Sequence, residues 1–401
     1  MSADITPLPP GTRLLHIGPH KTGTTTMQAA FHQSREALAE QGVHYAGKRA
    51  HSMAAAMASL NKALPTVSAA PTARWDQLVA EVLASTADQV VVSSEFYSDA
   101  PPDRVRAIID DLGRDRVHVV VTLRSLHRIM PSQWQQYMQN RFVISYQDWL
   151  EEMLVNTEHT TVTPTFWNRH RHDRLIRLWA DEVGTDRLTV IVVDEQDKAM
   201  LATAFEQLLS VRPGTLRSAE TANRSLTFTE VELLREFNRR WHEHGWTDAD
   251  YTRLVRFGAA RHLQQRTPGT DEQRLLTPQW AVDRALEVQR EMAASITAMG
   301  VRVIGDLDSL ADPALVKDVG VNDPVTRVPA DVAARLAAGL VRSVTDIPRR
   351  QPDDGRVVGE LEAAARVRPP GAKAQKKAAS PPPAAGRSLR SRLGALVRRG
   401  R

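Results

Sequence analysis

A chain of 401 residues allows one large domain with insertions or two modest ones, and its 42% hydrophobic and 25% charged content is that of a globular protein. It holds no cysteine, no apolar run near the about 18–20 residues that cross a bilayer, and neither a basic start nor an apolar core in MSADITPLPPGT. Disulfides and thiolate metal sites are thereby excluded; no secretory signal is expected, and a cytoplasmic protein is. Eleven Lys/Arg and no Asp/Glu fall between Arg366 and Arg401, so a total of +5 leaves −6 on residues 1–365; a nucleic-acid reading of the basic balance applies at most to the tail.

The first 12 residues read as a flexible start. RLLHIGP at 13–19 is a short apolar run ending in Gly-Pro and predicts a buried strand. Met27, Phe31 and Leu38 then recur near helical spacing, with Thr24 or Thr25 to cap the start and Gly42 to end it. Residues 51–64 and 72–87 suit helices. DQVVVSSEFY at 88–97 predicts a second buried strand, with Ser93, Ser94 and Glu95 at its carboxyl end. A Pro-started helix at 101–112 follows. RVHVVVTLRSLHR at 116–128 predicts a third strand ending near Arg124, and RLTVIVVDE at 187–195 a fourth, with helices between at 131–140, 145–154 and 170–183. Val/Ile-rich strands without polar alternation, separated by helices, predict an α/β fold with a central, mostly parallel sheet covered on both faces.

Beyond about 198 the chain reads as mainly helical and suited to shape a substrate site. Thr227 and Glu230 fit a capping box ahead of Val231, Leu234, Phe237 and Trp241. A helix at 277–299, a short last strand within 301–310 and a helix at 329–345 complete a domain spanning 13–347. From 348 to 401 Pro, Ala, Lys and Arg dominate, and the composition predicts a disordered basic tail. Within it, RSLRSRLGALVRRGR at 387–401 puts Leu389, Leu393, Leu396 and Val397 on one helical face and arginines on the other. That segment reads either as a solvated tail or as an amphipathic helix for an anionic membrane surface. No aromatic residue interleaves with the arginines, so specific nucleic-acid binding is not expected.

The chemistry concentrates at Gly18-Pro19-His20-Lys21-Thr22-Gly23-Thr24-Thr25, where a strand feeds a helix. Glycine lets the backbone wrap closely, and N–H groups at the helix start converge on one point. The helix dipole, a lysine and several hydroxyls add attraction for an anion, so the turn reads as a phosphate or sulfate cradle. It does not follow the Walker A pattern, because Lys21 precedes Gly23, and strand ends offering Glu95 and Arg124 match poorly the aspartate that holds Mg²⁺ beside such a loop. In an open parallel sheet ligands bind beyond the carboxyl ends of the strands, so Lys21, Glu95 and Arg124 are expected to face one crevice.

The HKTGTTT loop resembles the 5′-phosphosulfate-binding loop of sulfotransferases that use 3′-phosphoadenylyl sulfate (PAPS). A second motif of that family, an arginine ending a later strand and a serine eight positions on, is matched by Arg124 and Ser132. The segments GVHYAG, VVVSSE, SQWQ and GDLDSL are similar to the bacterial sulfotransferase-like proteins, and the likeness covers roughly residues 13–310. The resemblance implies a three-layer fold of the P-loop type, PAPS as sulfuryl donor, no metal, and an acceptor bearing a hydroxyl on a glycan, glycolipid or small secondary metabolite. It assigns His20, Lys21, Thr22, Gly23, Thr24 and Thr25 to the 5′-phosphosulfate, and Arg124 and Ser132 to the 3′-phosphate. Lys21 would meet the leaving oxygen. The base in this family is His or Glu. Glu95 is the first candidate, with pairing to Arg124 or Lys21 as its structural alternative; His51 and His20 follow. The Arg-Lys-Gly loop that closes the nucleotide in many members is absent, and Arg224, beside Asn223, is a substitute to consider. A nucleotide-dependent kinase and a non-catalytic nucleotide-binding module tethered by the tail remain the alternatives. The pairs His170/His172 and His242/His244 do not share a helix face and are not read as metal sites. Trp134, Trp167, Trp179, Trp241 and Trp280 read as packing, Trp134 nearest the cleft.

Overall fold

A strand of consecutive valines has no polar face, so both of its sides must be covered. The structure, a computed structural model that describes residues 5–61, 72–155, 162–217, 224–270 and 272–345, is built around such strands. In chain order come β1 (Arg13–His16), α1 (Thr24–Gln33), α2 (Arg35–Ala39), β2 (Val43–Tyr45), α3 (Met53–Ser59), α4 (Thr72–Ala84), β3 (Gln89–Ser93) and α5 (Pro102–Asp111). Next are β4 (Val117–Leu123), α6 (Leu126–Met138), α7 (Tyr146–Val155), α8 (Phe166–His170), α9 (His172–Val183), β5 (Leu188–Val192) and α10 (Met200–Leu208). The remainder is α11 (Phe228–His244), α12 (Asp248–Asp250), a π-helical stretch (Tyr251–Ala260), α13 (Arg261–Gln264), α14 (Gln279–Met299), β6 (Arg302–Ile304) and α15 (Ala330–Thr345).

The fold is α/β. Its six strands pair in the order β2-β3-β1-β4-β5-β6, all parallel. Alternate side chains along each strand leave by opposite faces. Leu14, Val91, Val120 and Ile191 pack with Met27 and Phe31 of α1 and Phe205 of α10. Leu15, Val92, Val121 and Val190 pack with Ile108 of α5 and Trp179 of α9 on the other side. A third apolar cluster, built from Trp134, Trp149, Leu234, Tyr251 and Met292, holds the helices of the later half together. The chain starts at the middle of the sheet: β3 lies on one side of β1 and β4 on the other, so the carboxyl ends of these three strands frame a crevice.

Several local expectations change. The edge strand β2 has three residues, too few to show a period in the sequence. The helix expected from residue 24 is broken at Ser34, which separates α1 from α2. Strand β3 stops at Ser93 because residues Glu95–Asp99 wind into a 3₁₀ turn, capped by Ser94 accepting from the Phe96 N–H at 3.3 Å. Helix α6 starts at Leu126 and carries Pro131 inside it, where a start was expected. The ring removes one backbone donor, but burial of Leu126, Ile129 and Met130 holds the preceding turn. Trp134 is fully buried and donates to the Ile144 carbonyl at 3.3 Å, away from the cleft; Trp280 is 38% exposed rather than packed. The Thr227–Glu230 capping box forms. Of the expected flexible start, residues 5–12 are described, and Leu8 is buried with its N–H bonded to the Leu208 carbonyl. The tail readings at 348–401, the membrane segment 387–401 among them, fall outside the described residues.

The π-helical stretch crosses α15 at two glycines. A Cβ on Gly339 would lie 2.6 Å from the Ala259 Cα, and one on Gly258 would lie 2.8 Å from the Gly339 carbonyl oxygen. Backbone meets backbone there, so no side chain can move aside. Gly339→Ala is expected to destabilise the protein by about 1–3 kcal/mol, the usual cost of overpacking, and thermal denaturation reads this as a lowered Tm. An unchanged Tm would contradict the close crossing.

Candidate functional site

The turn after β1 depends on three left-handed residues, Gly18 (φ 79°), Lys21 (φ 67°) and Gly23 (φ 91°). Space is also tight at 18, where a Cβ would lie 3.0 Å from the Glu95 Cα; at 23 it would meet only Leu201 Cδ2, at 2.9 Å, the tip of a side chain that can move. Gly23 is the N-cap of α1, and no side chain caps that helix. The first N–H groups of α1 are therefore offered to the crevice, with the positive end of the helix dipole behind them.

Polar groups beneath the turn fix its orientation. The Thr22 hydroxyl donates to the Pro19 carbonyl at 2.7 Å and lies 2.7 Å from Thr122 Oγ1; the Thr122 hydroxyl is 3.1 Å from the Gly18 carbonyl. Thr24 Oγ1 reaches the Pro19 carbonyl at 3.2 Å. Below them His16 links Ser93 Oγ at 2.9 Å to Thr122 Oγ1 at 3.3 Å. These bonds draw the loop carbonyls toward the sheet and leave the opposite side to N–H groups. Thr22, expected to bind an anion, is fully buried under the loop with its hydroxyl engaged, so its side chain is not on the cleft wall. The Thr24 hydroxyl is likewise turned inward, while Thr25 is exposed at the helix start.

A cleft of about 490 Å³ opens above this turn. Its walls bring together His20, Lys21, Gly23, Thr24 and Thr25 from the turn, His51 from the segment before α3, Glu95 after β3, and Arg124 and Ser132 after β4. Polar side chains at Ser132, Gln135, Gln136 and Gln139 share one face of α6 at helical spacing. Arg224, Arg256, Phe257 and Arg261 also line it. The His20 ring meets Phe96 edge-on at 5.1 Å.

Arg124 pairs with Glu195 and not with Glu95. Its Nε lies 2.6 Å from Glu195 Oε1, and Arg128 Nε lies 3.3 Å from Oε2. Burial opposes ionisation of Glu195, but hydrogen bonding and charge from Arg124 and Arg128 outweigh it and hold its pKa below the ordinary value. The terminal Nη groups of Arg124 take no partner among the described residues, so the fork is anchored at its base and presented outward. Arg224 is committed elsewhere. It clamps the buried Glu230 carboxylate with two bonds of 2.7 Å and donates to the Leu263 and Arg266 carbonyls at 2.6 and 2.7 Å. It braces α11 while also lining the cleft. Arg256 and Arg261 were missed by sequence reasoning, since nothing in the pattern shows that the helical run is π-wound there.

Gln28 was missed as well. It is 1% exposed and donates to Glu95 Oε2 at 3.0 Å and to the Ser93 carbonyl at 3.3 Å, while its oxygen meets His51 Nδ1. The available signal was a glutamine inside the stripe Thr24, Met27, Gln28, Phe31, otherwise the sheet-facing side of α1. The His51 segment is pinned by Arg35, which donates to the Gly47 and Arg49 carbonyls, and by Tyr45 Oη, 2.7 Å from the Ala50 carbonyl. Asp99, on the turn with Glu95, forms a bidentate pair with Arg169 at 2.6 and 2.8 Å, both side chains buried.

Comparison with protein-family models, curated proteins and solved structures gives no match for this chain.

Burial lowers the pKa of His16 to about 3 and of His172 to about 4, and carries His170 well below its ordinary value. Above the unfolded value of about 6.5 these groups are neutral in both states and do not affect stability. As pH falls below 6.5 the unfolded chain takes up protons that the native chain refuses, so stability falls. Tm is expected to drop between pH 7 and 5, before most carboxylates titrate. Calorimetry showing a flat Tm over that window would contradict the buried neutral histidines. Removing Arg169 strands the Asp99 carboxylate, and Arg169→Met is expected to cost about 3–5 kcal/mol in denaturant unfolding.

Proposed function

We propose that this protein is a PAPS-dependent sulfotransferase acting on a hydroxyl of a glycan, a glycolipid or a small secondary metabolite. The observation that carries the reading is the convergence of Lys21, with the open start of α1, and Arg124, with Ser132, on one cleft. A bisphosphorylated nucleotide has two separated anionic ends, and the donor set fits that shape. A helix N-terminus and an ammonium serve one end, a guanidinium fork and a hydroxyl the other. The reading brings with it a three-layer fold of the P-loop type, supported by an all-parallel sheet with apolar cover on both faces.

PAPS supplies an activated sulfuryl group when bound. The contribution of the chain is position and charge. The α1 N–H groups and Thr25 hold the 5′ end, and Arg124, fixed from behind by Glu195, holds the 3′-phosphate. Lys21 neutralises the negative charge that grows on the leaving phosphate. Glu95 and His51 stand on the same cleft to take the acceptor proton. Buried side chains below the turn keep these donors from turning away, which is the preorganisation that electrostatic catalysis requires.

Ligand binding stabilises the native state by mass action, by about 2.7 kcal/mol at a hundredfold excess over Kd, and so raises Tm. Adenosine 3′,5′-bisphosphate is expected to raise Tm without Mg²⁺ and more than ATP does. Stabilisation by ATP with Mg²⁺ and none by the bisphosphate would overturn the reading in favour of a kinase. With PAPS and an acceptor, Lys21→Ala is expected to lower turnover by about 10²–10³-fold.

A further inference from the structure

Gln28 determines which nitrogen of His51 carries a proton. Its carboxamide ends can be told apart, because one of them faces two acceptors, Glu95 Oε2 at 3.0 Å and the Ser93 carbonyl at 3.3 Å. An NH₂ group satisfies both and an oxygen neither. The other end is therefore the oxygen, and it meets His51 Nδ1. An amide oxygen only accepts, so His51 Nδ1 must donate and must hold a hydrogen. In the neutral ring the lone pair then resides on Nε2. Gln28 is locked in this arrangement, being 1% exposed beneath a cleft that both His51 and Glu95 line.

We propose that Gln28 is a positioning residue that makes His51, through Nε2, the general base of this site and links it to the Glu95 carboxylate. The identity of the reaction rests on the sulfotransferase reading; the tautomer does not. As the acceptor hydroxyl reacts, its proton passes to His51 Nε2, its oxygen uses the electron pair for the new bond to sulfur, and the bond from sulfur to the 5′-phosphate oxygen breaks, that oxygen leaving with its pair on the phosphate beside Lys21. The ring becomes an imidazolium with Nδ1–H still bonded to Gln28, and later releases the Nε2 proton to water. Glu95 accepts from the Gln28 NH₂ and polarises the amide, so the oxygen facing His51 becomes more negative as the ring becomes positive. Glu95 thus stabilises the charged ring through one intervening amide. This resembles in logic the carboxylate that holds a catalytic histidine in the correct tautomer, with the amide as relay.

The test is the tautomer of His51, read by ¹⁵N NMR on full-length protein labelled at histidine nitrogens, at pH 8 and without nucleotide. His51→Gln identifies the resonances. The Nδ1–H tautomer is expected in the wild type, and an Nε2–H tautomer would overturn the proposal. Gln28→Met removes the acceptor and is expected to lose the Nδ1–H preference. Should Gln28→Met fail to fold, the wild-type spectrum decides alone. Gln28→Met is also expected to lower turnover with PAPS by up to about 10²–10⁴-fold, the span of general-base catalysis, with donor KM little changed; wild-type turnover in a folded Gln28→Met protein would overturn the proposal. Because the spectra need no nucleotide, their outcome is separate from that of the bisphosphate binding test.

Discussion

A loop that offers N–H groups to an anion must send its carbonyls somewhere else, and a buried carbonyl must find a donor. Three adjacent strands each place one polar side chain beneath the loop: Thr122 from β4, which meets a loop carbonyl, and His16 from β1 and Ser93 from β3, which are chained to it. The parallel register sets His16 beside Ser93, so the pairing of strands decides the chemistry under the loop. Thr122 and Thr22 bind the Gly18 and Pro19 carbonyls from below. A slip of one residue in β3 or β4 would turn those side chains to the opposite face and leave the loop carbonyls unpaired. The cradle is held by the sheet, and the sheet is held by apolar cover on both sides.

The charge of the cleft is local and opposes that of the chain around it. Residues 1–365 carry −6, yet the cleft walls hold Lys21, Arg124, Arg256 and Arg261 against one carboxylate, Glu95, among the described residues. Arg224 is paired with Glu230 and Arg124 with Glu195, the latter through Nε, so that the Nη groups of Arg124 take no partner among the described residues. Such a surplus of donors in a partly enclosed space favours a ligand that is itself multiply anionic.

Residues whose role follows from local spacing were legible in the sequence. Runs of valine placed β3, β4 and β5, and Gly18 and Gly23 marked a turn of close approach. Because Lys21, Glu95 and Arg124 each follow a strand, a shared crevice could be anticipated before any coordinates. Roles set by tertiary partners were not legible. Thr22 and Thr24 look alike in sequence to Thr25, but their hydroxyls point into the protein because the Pro19 carbonyl lies there. Gln28 looks like a surface residue until His51 and Glu95 are brought to either side of it. Arg224 reads in the sequence as a stand-in for a closing loop, and its clamp on Glu230 shows only in the fold. Pro131 reads as a helix start by propensity and sits inside α6 because packing of the preceding turn outweighs one lost hydrogen bond.

The central claim is that Lys21 and Arg124 grip opposite ends of one nucleotide. Calorimetric affinities of adenosine 3′,5′-bisphosphate and adenosine 5′-phosphate, each for the wild type and for Arg124→Ala, address it most directly. The account predicts that the 3′-phosphate strengthens wild-type binding by about 10–150-fold, the equivalent of about 1.5–3 kcal/mol for a charged hydrogen bond, and that most of the difference is lost in Arg124→Ala, where Ser132 alone remains. Equal affinities in the wild type, or a difference undiminished by the loss of Arg124, would contradict it.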